Sequence, residues 1–413
     1  MSEIAHERRA LAIFVTGATI SNAGSFMQAT AVPFVLYQLT HSNAWVGAAA
    51  LAALGFSVLI GPVAGISIDR FSQKSVLTVG QVVQLASALT LTVMAATDTL
   101  RPWPMLVLIA IGGIGSGLQF PAAQSFVPTI VAAPRVATGV RLTSLGLTVS
   151  RTVGPALAGV LLTLTNATTL FALNASTFVI YLVLLCFLHP RRNRAHGTTS
   201  TWLRQYRAAV AYARDRRSIV SLLVIGVVGS MFGASMGFLL PGIADLYGAG
   251  AGGVGALAAI YGLGAVLGTS TLIHLGDRLA RRHATRVGFL AYGAGGLLAM
   301  ATGSLAVGLG AFVLVGVGYA LWLTSIGTAL QVQLTDAYRG RITTFYVTAV
   351  VGGTPIGAVV GGWLGDRVGL RPVLSAYGVV LVLLGTLGAR RMHFDRLDVT
   401  GPTPADRGGD PPA

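Results

Sequence analysis

Long apolar runs, repeated along the whole chain, limit what this sequence can fold into more than any other feature. Charged residues, prolines or short polar turns separate about twelve such runs. A transmembrane helix needs about 20 consecutive apolar residues, whereas a membrane strand needs only about 10. The run lengths therefore predict an all-α polytopic membrane protein with twelve transmembrane helices. The predicted spans are 11–39, 44–68, 75–97, 104–127, 138–164, 168–188, 218–244, 251–275, 284–305, 307–334, 342–364 and 372–389.

The composition excludes a soluble protein. Hydrophobic residues make up 54% of the 413 residues and charged residues only 10%, against about 25% in ordinary soluble domains. The net charge of +15 raises the question of nucleic-acid binding. However, the arginines stand at the ends of apolar runs and in one central segment, which is typical of residues that flank a membrane. We therefore expect the lipid bilayer, and no nucleic acid, as a partner.

The sequence contains no pattern that predicts a cofactor or a catalytic centre. Cys186 is the only cysteine, so neither an intrachain disulfide nor a cysteine metal cluster can form, and the seven histidines are scattered. A polytopic membrane enzyme would need a cluster of His, Asp, Glu or Ser at a membrane face. We expect no metal, no cofactor and no enzymatic activity, and we expect a monomer.

Basic residues in the loops predict the orientation. The loops after even-numbered spans carry most of the loop arginines and lysines, including Arg70 and Arg135, whereas the loops after odd-numbered spans carry only Arg101, Arg367 and Arg371. By the positive-inside rule both termini are cytoplasmic, which places a multi-pass protein in the cell inner (cytoplasmic) membrane. The first apolar run is too long for a signal peptide, so we expect it to be a retained span.

An internal repeat divides the spans into two sets of six. Asp69 and Asp277 follow spans two and eight, and Pro155 and Pro355 lie in spans five and eleven at nearly the same offset. Such an offset is typical of parallel repeats related by an axis along the membrane normal. The predicted domains are an N-terminal six-helix bundle (1–189), a basic cytoplasmic linker with an amphipathic helix (190–217), a C-terminal six-helix bundle (218–392) and a disordered cytoplasmic tail (393–413).

The linker is rich in arginine. Between Trp202 and Tyr212 apolar residues recur at helical spacing, which favours a helix lying on the cytoplasmic membrane surface. A disordered basic linker is the alternative for residues 191–200. The tail is rich in proline and glycine, which is typical of disorder.

Short motifs in a fixed order carry a family resemblance. "SNAGSFMQATAVPFVLYQLT" lies in span one, "GISIDRFSQK" follows span two, "FPAAQSFVP" follows span four, "RTVGPALAG" lies in span five and "YRGRITTFY" precedes span eleven. Together they resemble the major facilitator superfamily and, within it, the enterobactin-exporter-like and macrolide-efflux-like branch. The resemblance covers residues 10–391. It implies the major facilitator fold and secondary transport of a small molecule.

The charged loop after span two resembles the conformational latch of this superfamily. Small residues let span two approach a neighbour closely, and an aspartate at a helix end can pair with an arginine or cap a helix. The resemblance implies that the motif latches the two halves in the outward-facing state, although Phe71, Ser72 and Gln73 replace its usual residues. The alternative is ordinary membrane-edge charge. The latch residues so implied are Gly65, Asp69, Arg70, Lys74, Asp277 and Arg278.

Arg151 is the most unusual residue of the predicted spans. It lies close to 20 Å into span five, where an arginine costs about 2.5–3.5 kcal/mol unless it finds a polar partner or water. The sequence places no acid in the middle of a span to neutralise it. Two interpretations remain open. The guanidinium bonds backbone carbonyls and side chains such as Asn22, Gln28 or Thr148, or it offers positive charge to a water-filled cavity.

Span five also carries a Gly-Pro motif. Gly154, Pro155 and Gly159 fit the antiporter motif of exporters in the superfamily, although Ser150 and Ala158 replace glycines. A proline removes one helical hydrogen bond, so a kink without directional meaning is the alternative.

Span one bears on energy coupling. The resembled proteins often carry an acid where this chain has Ser25, and a buried carboxylate is the usual proton carrier. Protons therefore remain an open partner. Asp245 is the remaining candidate carrier, and the alternative for it is an ordinary acid at the end of a span.

The function predicted from these features is secondary active export. The cargo is expected to be a small amphipathic molecule, siderophore-, drug- or natural-product-like, moved by alternating access as in multidrug-resistance efflux antiporters. Such a ligand needs apolar burial plus a few oriented polar contacts. Import, and a transport-inactive sensor or scaffold, are the alternatives. The predicted substrate-cavity residues are Asn22, Gln28, Arg151 and Tyr346.

Overall fold

The chain is helical almost throughout the part that the structure describes. The computed structural model describes residues 3–189, 214, 216–334 and 336–388. The predicted amphipathic linker helix near Trp202 and the predicted tail after residue 392 lie outside the described residues.

The helices of the first 189 residues follow the predicted spans one to six. Three consecutive segments, α2, a π-helical turn and α3, together make span two. The bounds are α1 Glu3–Thr40, α2 Asn43–Ala50, the π-helical turn Leu51–Gly55, α3 Phe56–Arg70, α4 Gln73–Ala96, α5 Pro102–Ile130, α6 Ala133–Leu164 and α7 Ala167–Cys186.

The helices of the later residues follow spans seven to twelve. The bounds are α8 Arg217–Phe232, a 3₁₀ turn Ala234–Gly237, α9 Leu240–Leu246, α10 Gly250–Leu275, a 3₁₀ turn Gly276–Arg278, α11 Arg281–Ala301, α12 Leu305–Gln333, α13 Asp336–Val368, α14 Leu370–Leu383 and a π-helical turn Leu384–Gly388.

Eleven of the described helical segments are long and apolar enough to cross a membrane. The remaining predicted span, 284–305, corresponds to α11, whose first two turns contain Arg281, Arg282 and Arg286. These arginines lower its hydropathy, and the end of a span is where a membrane interface accepts them. The prediction of an all-helical, polytopic membrane fold is confirmed.

The helices do not end where the apolar runs end. α1 begins at Glu3 rather than residue 11, and α6 begins at Ala133 rather than residue 138. Helical hydrogen bonds are made within the segment, so polar turns can continue a helix beyond the hydrocarbon. Conversely, the predicted span 218–244 is interrupted between α8 and α9 by a 3₁₀ turn, which Gly233 precedes and Gly237 ends, because glycine is a poor helix former.

Contacts between residues divide the chain into two compact units, 1–198 with 238–259, and 199–237 with 260–413. In the first unit α1 packs on α6 and α7, and α4 packs on α5 and α7. Its core includes Phe14, whose ring centroid lies 5.1 Å from that of Phe126 and 6.4 Å from that of Tyr181. Since α9 and the start of α10 belong to this unit, the boundaries of the two predicted six-helix bundles stay a prediction.

The second unit has a separate aromatic core. α11 packs against α12 and α14, and α8 packs on α13. Phe289 and Trp322 stack with ring centroids 5.3 Å apart and ring planes 15° apart, and both side chains are fully buried. Each unit therefore buries its own core.

Candidate functional site

The packing of α6 on α1 fixes the rotation of α6. The Ser150 hydroxyl donates a hydrogen bond to the Thr19 carbonyl at 2.8 Å. One turn further on, a Cβ added to Gly154 would lie 2.6 Å from the carbonyl oxygen of Ala23, so a side chain there would push the two helices apart. The small residues that share this buried face of α6 are Gly139, Gly146, Ser150, Gly154 and Ala158.

Arg151 stands beside this packing face with its side chain exposed. Its Cζ atom lies 5.7 Å from the centroid of the Phe26 ring on α1, which is within cation–π range. No hydrogen bond or ion pair reaches Arg151 from the described residues. The described residues thus supply none of the hydrogen bonds of the first interpretation, and the second, a guanidinium that offers positive charge to a water-filled cavity, stays a prediction.

Two of the three polar side chains considered as partners of Arg151, Gln28 and Thr148, are hydrogen-bonded elsewhere. Gln28 accepts a hydrogen bond from the Asn174 side-chain amide at 2.7 Å. The Thr148 hydroxyl donates to the Ser144 carbonyl of its own helix at 3.0 Å. Asn22 is half-buried and, four residues before Phe26, shares the Phe26 face of α1. Asn22 thus shares the side of α1 that Phe26 presents to Arg151, whereas Gln28 is engaged with α7.

Sequence reasoning missed a second exposed arginine, Arg141, on α6. Arg141, Ser144, Thr148 and Arg151 follow one another at spacings of three, four and three residues, so they form one stripe along the helix. All four side chains are exposed. The signal was present in the sequence as this spacing, but Arg141 lies near the predicted start of span five, where a basic residue is ordinary.

The interior of the first unit contains glutamines that sequence reasoning also missed. The Gln81 side-chain amide donates to the Ser21 hydroxyl at 2.8 Å, and the Gln84 amide donates to the side-chain carbonyl of Gln119. These side chains tie α4 to α1 and α5. Each stands alone in an apolar run, so only the folded neighbours reveal the pairing.

Tyr346 lies in the core of the second unit. Its side chain is only 5% exposed, and its hydroxyl has no hydrogen-bond partner among the described residues. Within the described part of the chain the Trp322 Nε1 is likewise buried without a partner, and the Tyr292 side chain is fully buried. Tyr319 packs on both of these rings, and Tyr261 packs on Tyr319, with centroid distances of 5.6 to 6.3 Å. The accessible edge of this aromatic cluster is therefore formed by the half-buried Tyr261 and Tyr319 rather than by Tyr346.

The predicted latch is described in part. Lys74 donates a hydrogen bond from Nζ to the Leu188 carbonyl at 2.7 Å, just beyond the end of α7, where the helix dipole favours a positive charge. Arg278 is exposed in the 3₁₀ turn after α10. The latch role stays a prediction, because the structure describes only the backbone of four of the six residues: Gly65, Asp69, Arg70 and Asp277.

The Gly-Pro motif of span five lies inside α6, which continues through Pro155. Gly154 packs on α1, whereas Gly159 packs directly against the backbone of Gly255 in α10. The motif thus brings two neighbours, α1 and α10, close to one helix within the first unit. Its relation to the direction of transport stays a prediction.

The described acids stand near helix ends. Asp245, near the end of the short α9, accepts a hydrogen bond from the Tyr37 hydroxyl at 2.9 Å and is exposed. Ser25 donates its hydroxyl to the Ser21 carbonyl at 2.9 Å, within its own helix. Among the described residues, no group of three or more His, Cys, Asp or Glu could hold a metal.

A salt bridge joins the beginning of α1 to the beginning of α6. Arg135 donates from Nη1 to Oε2 of Glu7 at 2.8 Å, and the exposed fraction is 6% for the Glu7 side chain and 29% for Arg135. Arg135 lies between two apolar runs, so the sequence predicts a loop position for it, but it belongs to the first turn of α6. The pair fixes the two helices at the end that the charge distribution predicts to be cytoplasmic.

Comparison with known proteins identifies the family. A family model described as "transmembrane secretion effector" matches residues 5–407. The chain belongs to the major facilitator superfamily. It is 27% identical over 377 residues to the enterobactin exporter EntS of Shigella boydii serotype 4 (strain Sb227), with 86% of this chain and 85% of that protein covered. It is 23% identical over 404 residues to the uncharacterized MFS-type transporter YfiS of Bacillus subtilis (strain 168), with 92% of each covered.

A solved structure agrees with this assignment. The bacterial homolog of the human lysosomal transporter Spinster, in an inward-facing and unoccupied conformation, superimposes with a TM-score of 0.78 at 14% identity, covering 96% of this chain and 98% of that chain. Such a likeness shows the fold alone. The predicted major facilitator fold is confirmed, and the protein is a multi-pass membrane transporter of this superfamily.

Proposed function

We propose that the protein is a secondary transporter that exports a small amphipathic molecule across the cytoplasmic membrane by alternating access, with both termini in the cytoplasm. The proposal is supported by the similarity to enterobactin exporters and by the basic residues in the loops of the predicted cytoplasmic side. The latch around Asp69 and the Gly-Pro motif around Pro155 belong to the same proposal.

The observation that carries the proposal is the exposed Arg151 near the middle of a spanning helix. An arginine at that depth must face water or a polar ligand, and the neighbouring Phe26 supplies an apolar surface within 5.7 Å of the guanidinium. A charge beside an aromatic ring is what an amphipathic ligand requires, because such ligands need apolar burial together with a few oriented polar contacts.

The test is an efflux assay. Cells that express the protein are loaded with a panel that contains enterobactin, a macrolide and amphipathic dyes of either charge, and release is followed over time. We expect export of at least one member, and we expect Arg151→Ala to slow export of anionic members by about tenfold or more, because a lost bond to a charged group costs about 1.5–3 kcal/mol. Arg101→Ala is the matched control, since Arg101 is an exposed arginine at the start of α5.

Two results contradict parts of this proposal. If expression changes the release of no compound in the panel, the export function is wrong. If Arg151→Ala removes the protein from the membrane while Arg101→Ala does not, Arg151 serves folding rather than substrate contact.

A further inference from the structure

We infer that α6 presents an anion-binding stripe, formed by Arg141, Ser144, Thr148 and Arg151, and that the substrate of the proposed transport is an amphipathic organic anion. This inference rests on the proposed function and names its substrate class. The stripe, as defined by these four residues, is argued from the exposure, depth and unsatisfied donors of its arginines.

The exposed surface of α6 is divided into two different stripes. The four residues of the anion-binding stripe are all exposed. They lie to one side of the face that packs on α1 and extend towards the opposite side of the helix. On the other side, between Leu142 and Val160, the exposed residues are aliphatic, which suits contact with lipid tails. The members of this apolar stripe are Leu142, Leu145, Val149 and Val153, with exposed fractions of 40% to 60%.

The depth of Arg151 argues against lipid contact. α6 has 32 residues, which corresponds to about 48 Å, and the hydrocarbon core is only about 30 Å thick. Arg151 lies about 4 Å from the midpoint of the helix and Arg141 about 11 Å from it on the other side. Arg151 would cost about 2.5–3.5 kcal/mol if it faced hydrocarbon, whereas Arg141, nearer the end of the span, would cost less. We therefore assign the anion-binding stripe to a water-accessible surface.

The donors of these arginines are open to a ligand. A guanidinium carries five N–H donors and no acceptor, and no hydrogen bond or ion pair from the described residues reaches Arg141 or Arg151. The hydroxyls of Thr148 and Thr152 donate their hydrogen bonds to carbonyls of their own helix. The guanidinium groups are therefore the donors left to bind an anion. Carboxylate and sulfonate groups match the fork of an arginine in two-point hydrogen bonding.

The spacing of the arginines indicates two successive anion positions. They stand about 15 Å apart along the helix axis, so one small anion contacts one guanidinium at a time. Two positions of moderate strength let a ligand enter and leave, whereas a single strong position would retain it. Phe26 lies next to Arg151. The anion position at Arg151 therefore has an apolar neighbour for the hydrophobic part of the substrate.

The occupant next to Arg151 is a dissolved organic anion rather than a lipid headgroup. A lipid phosphate lies outside the hydrocarbon, about 15 Å from its midplane, and Arg151 lies close to that midplane. Lipid tails already have a surface to cover on α6, because the apolar stripe lies on the neighbouring side of the helix.

The test measures the local charge and the water access of the anion-binding stripe without relying on transport. The full chain is reconstituted in phosphatidylcholine nanodiscs, Cys186, an exposed residue, is replaced by Cys186→Ser, and Thr148→Cys is introduced. Two thiol reagents of similar size are compared, the anionic 2-sulfonatoethyl and the cationic 2-(trimethylammonio)ethyl methanethiosulfonate. Val149→Cys, one residue away on the apolar stripe and 44% exposed, is the matched control.

We expect Thr148→Cys to react with both reagents and Val149→Cys to react at least about tenfold more slowly, because charged reagents do not enter hydrocarbon. Removing both charges by Arg141→Gln with Arg151→Gln should lower the ratio of anionic to cationic rates by about fivefold. Arg141→Lys with Arg151→Lys keeps both charges and should leave the ratio of anionic to cationic rates unchanged. If the double glutamine variant does not fold, Arg141→Gln alone should lower the ratio by about twofold.

Two results would overturn the inference. Thr148→Cys could be as unreactive as Val149→Cys, which would mean contact with lipid. Alternatively, the ratio of anionic to cationic labelling rates could be the same with and without the two arginines. Its failure is distinguishable from failure of the proposed function. Export that is confined to uncharged or cationic compounds and unaffected by Arg151→Gln would leave the transport function intact and contradict an anionic substrate. A normal labelling ratio without export of any compound would contradict the transport function and leave the anion-binding stripe in place.

Discussion

The guanidinium of Arg151 illustrates how a single residue constrains the account. Its charge is tolerated near the middle of a long spanning helix only if water or an anion supplies acceptors for its donors. The structure adds what depth alone does not determine: the exposed side, the contact with Phe26 and a second arginine, Arg141. The proposed role in ligand binding rests on that combination rather than on the presence of an arginine alone.

A prediction at the residue scale concerns the salt bridge between Glu7 and Arg135. Glu7→Gln removes the charge of a buried carboxylate whose partner is mostly buried as well. We expect a lower midpoint of thermal unfolding in detergent, corresponding to roughly 1–3 kcal/mol, which lies between the values for exposed and buried pairs.

The control for this variant is Arg8→Gln, an exposed charge one residue away on α1. Arg8→Gln should leave the midpoint unchanged. Equal midpoints for Glu7→Gln and the unchanged protein would show that the pair does not stabilise the contact between α1 and α6.

At the scale of elements, α6 combines three surfaces on one helix. Small residues pack on α1, aliphatic residues form the apolar stripe, and arginines with hydroxyl residues form the anion-binding stripe. Because the three surfaces occupy different sides, a change in the rotation of α6 would move its arginines towards lipid or protein. The close packing around Gly154 is therefore a condition for the exposure of Arg151.

A prediction at this scale is that Gly154→Leu destabilises the protein. A side chain at this position meets the Ala23 carbonyl oxygen and the Phe26 Cβ, at 2.6 Å and 2.7 Å from an added Cβ. Overpacking of this kind costs about 1–3 kcal/mol, so we expect a lower midpoint of thermal unfolding. It should also displace Phe26 and alter the labelling rate of Thr148→Cys.

The control is Val153→Leu, which places the same leucine side chain at an exposed position on the apolar stripe. It should change neither the unfolding midpoint nor the labelling rate. A Gly154→Leu protein that behaves like Val153→Leu would contradict the packing described for α6 and α1.

Particular elements show how much the sequence could predict. Spanning helices are one-dimensional features, so apolar runs predicted nearly all of them, and short motifs predicted the superfamily. Hydropathy did not predict the division between α8 and α9 or the polar first turns of α1, because it reports burial in lipid and not where helical hydrogen bonding stops. The choice of Leu188 as the partner of Lys74, and the burial of Tyr346, depend on neighbours that are distant in sequence.

At the scale of the whole molecule, the protein is a transporter of the major facilitator superfamily, and the proposed function adds a direction and a class of cargo. Export of an anion carries negative charge out of the cell. An inside-negative membrane potential favours this movement by about 2.3 kcal/mol per charge at 100 mV, which corresponds to a gradient of roughly fiftyfold at equilibrium. The anion-binding stripe thereby connects the local chemistry of α6 to the energetics of transport.

Voltage-dependent efflux from proteoliposomes tests the central claim most directly. Vesicles that contain the protein are loaded with amphipathic aromatic carboxylates, each paired with the uncharged primary amide of the same skeleton, and a potassium gradient with valinomycin sets the potential. The account predicts that the exported compounds are carboxylates, that their efflux accelerates as the interior becomes more negative, and that Arg141→Gln with Arg151→Gln removes this efflux. Efflux that is equal for the carboxylates and their amides, insensitive to the potential and unchanged in the double variant would contradict it.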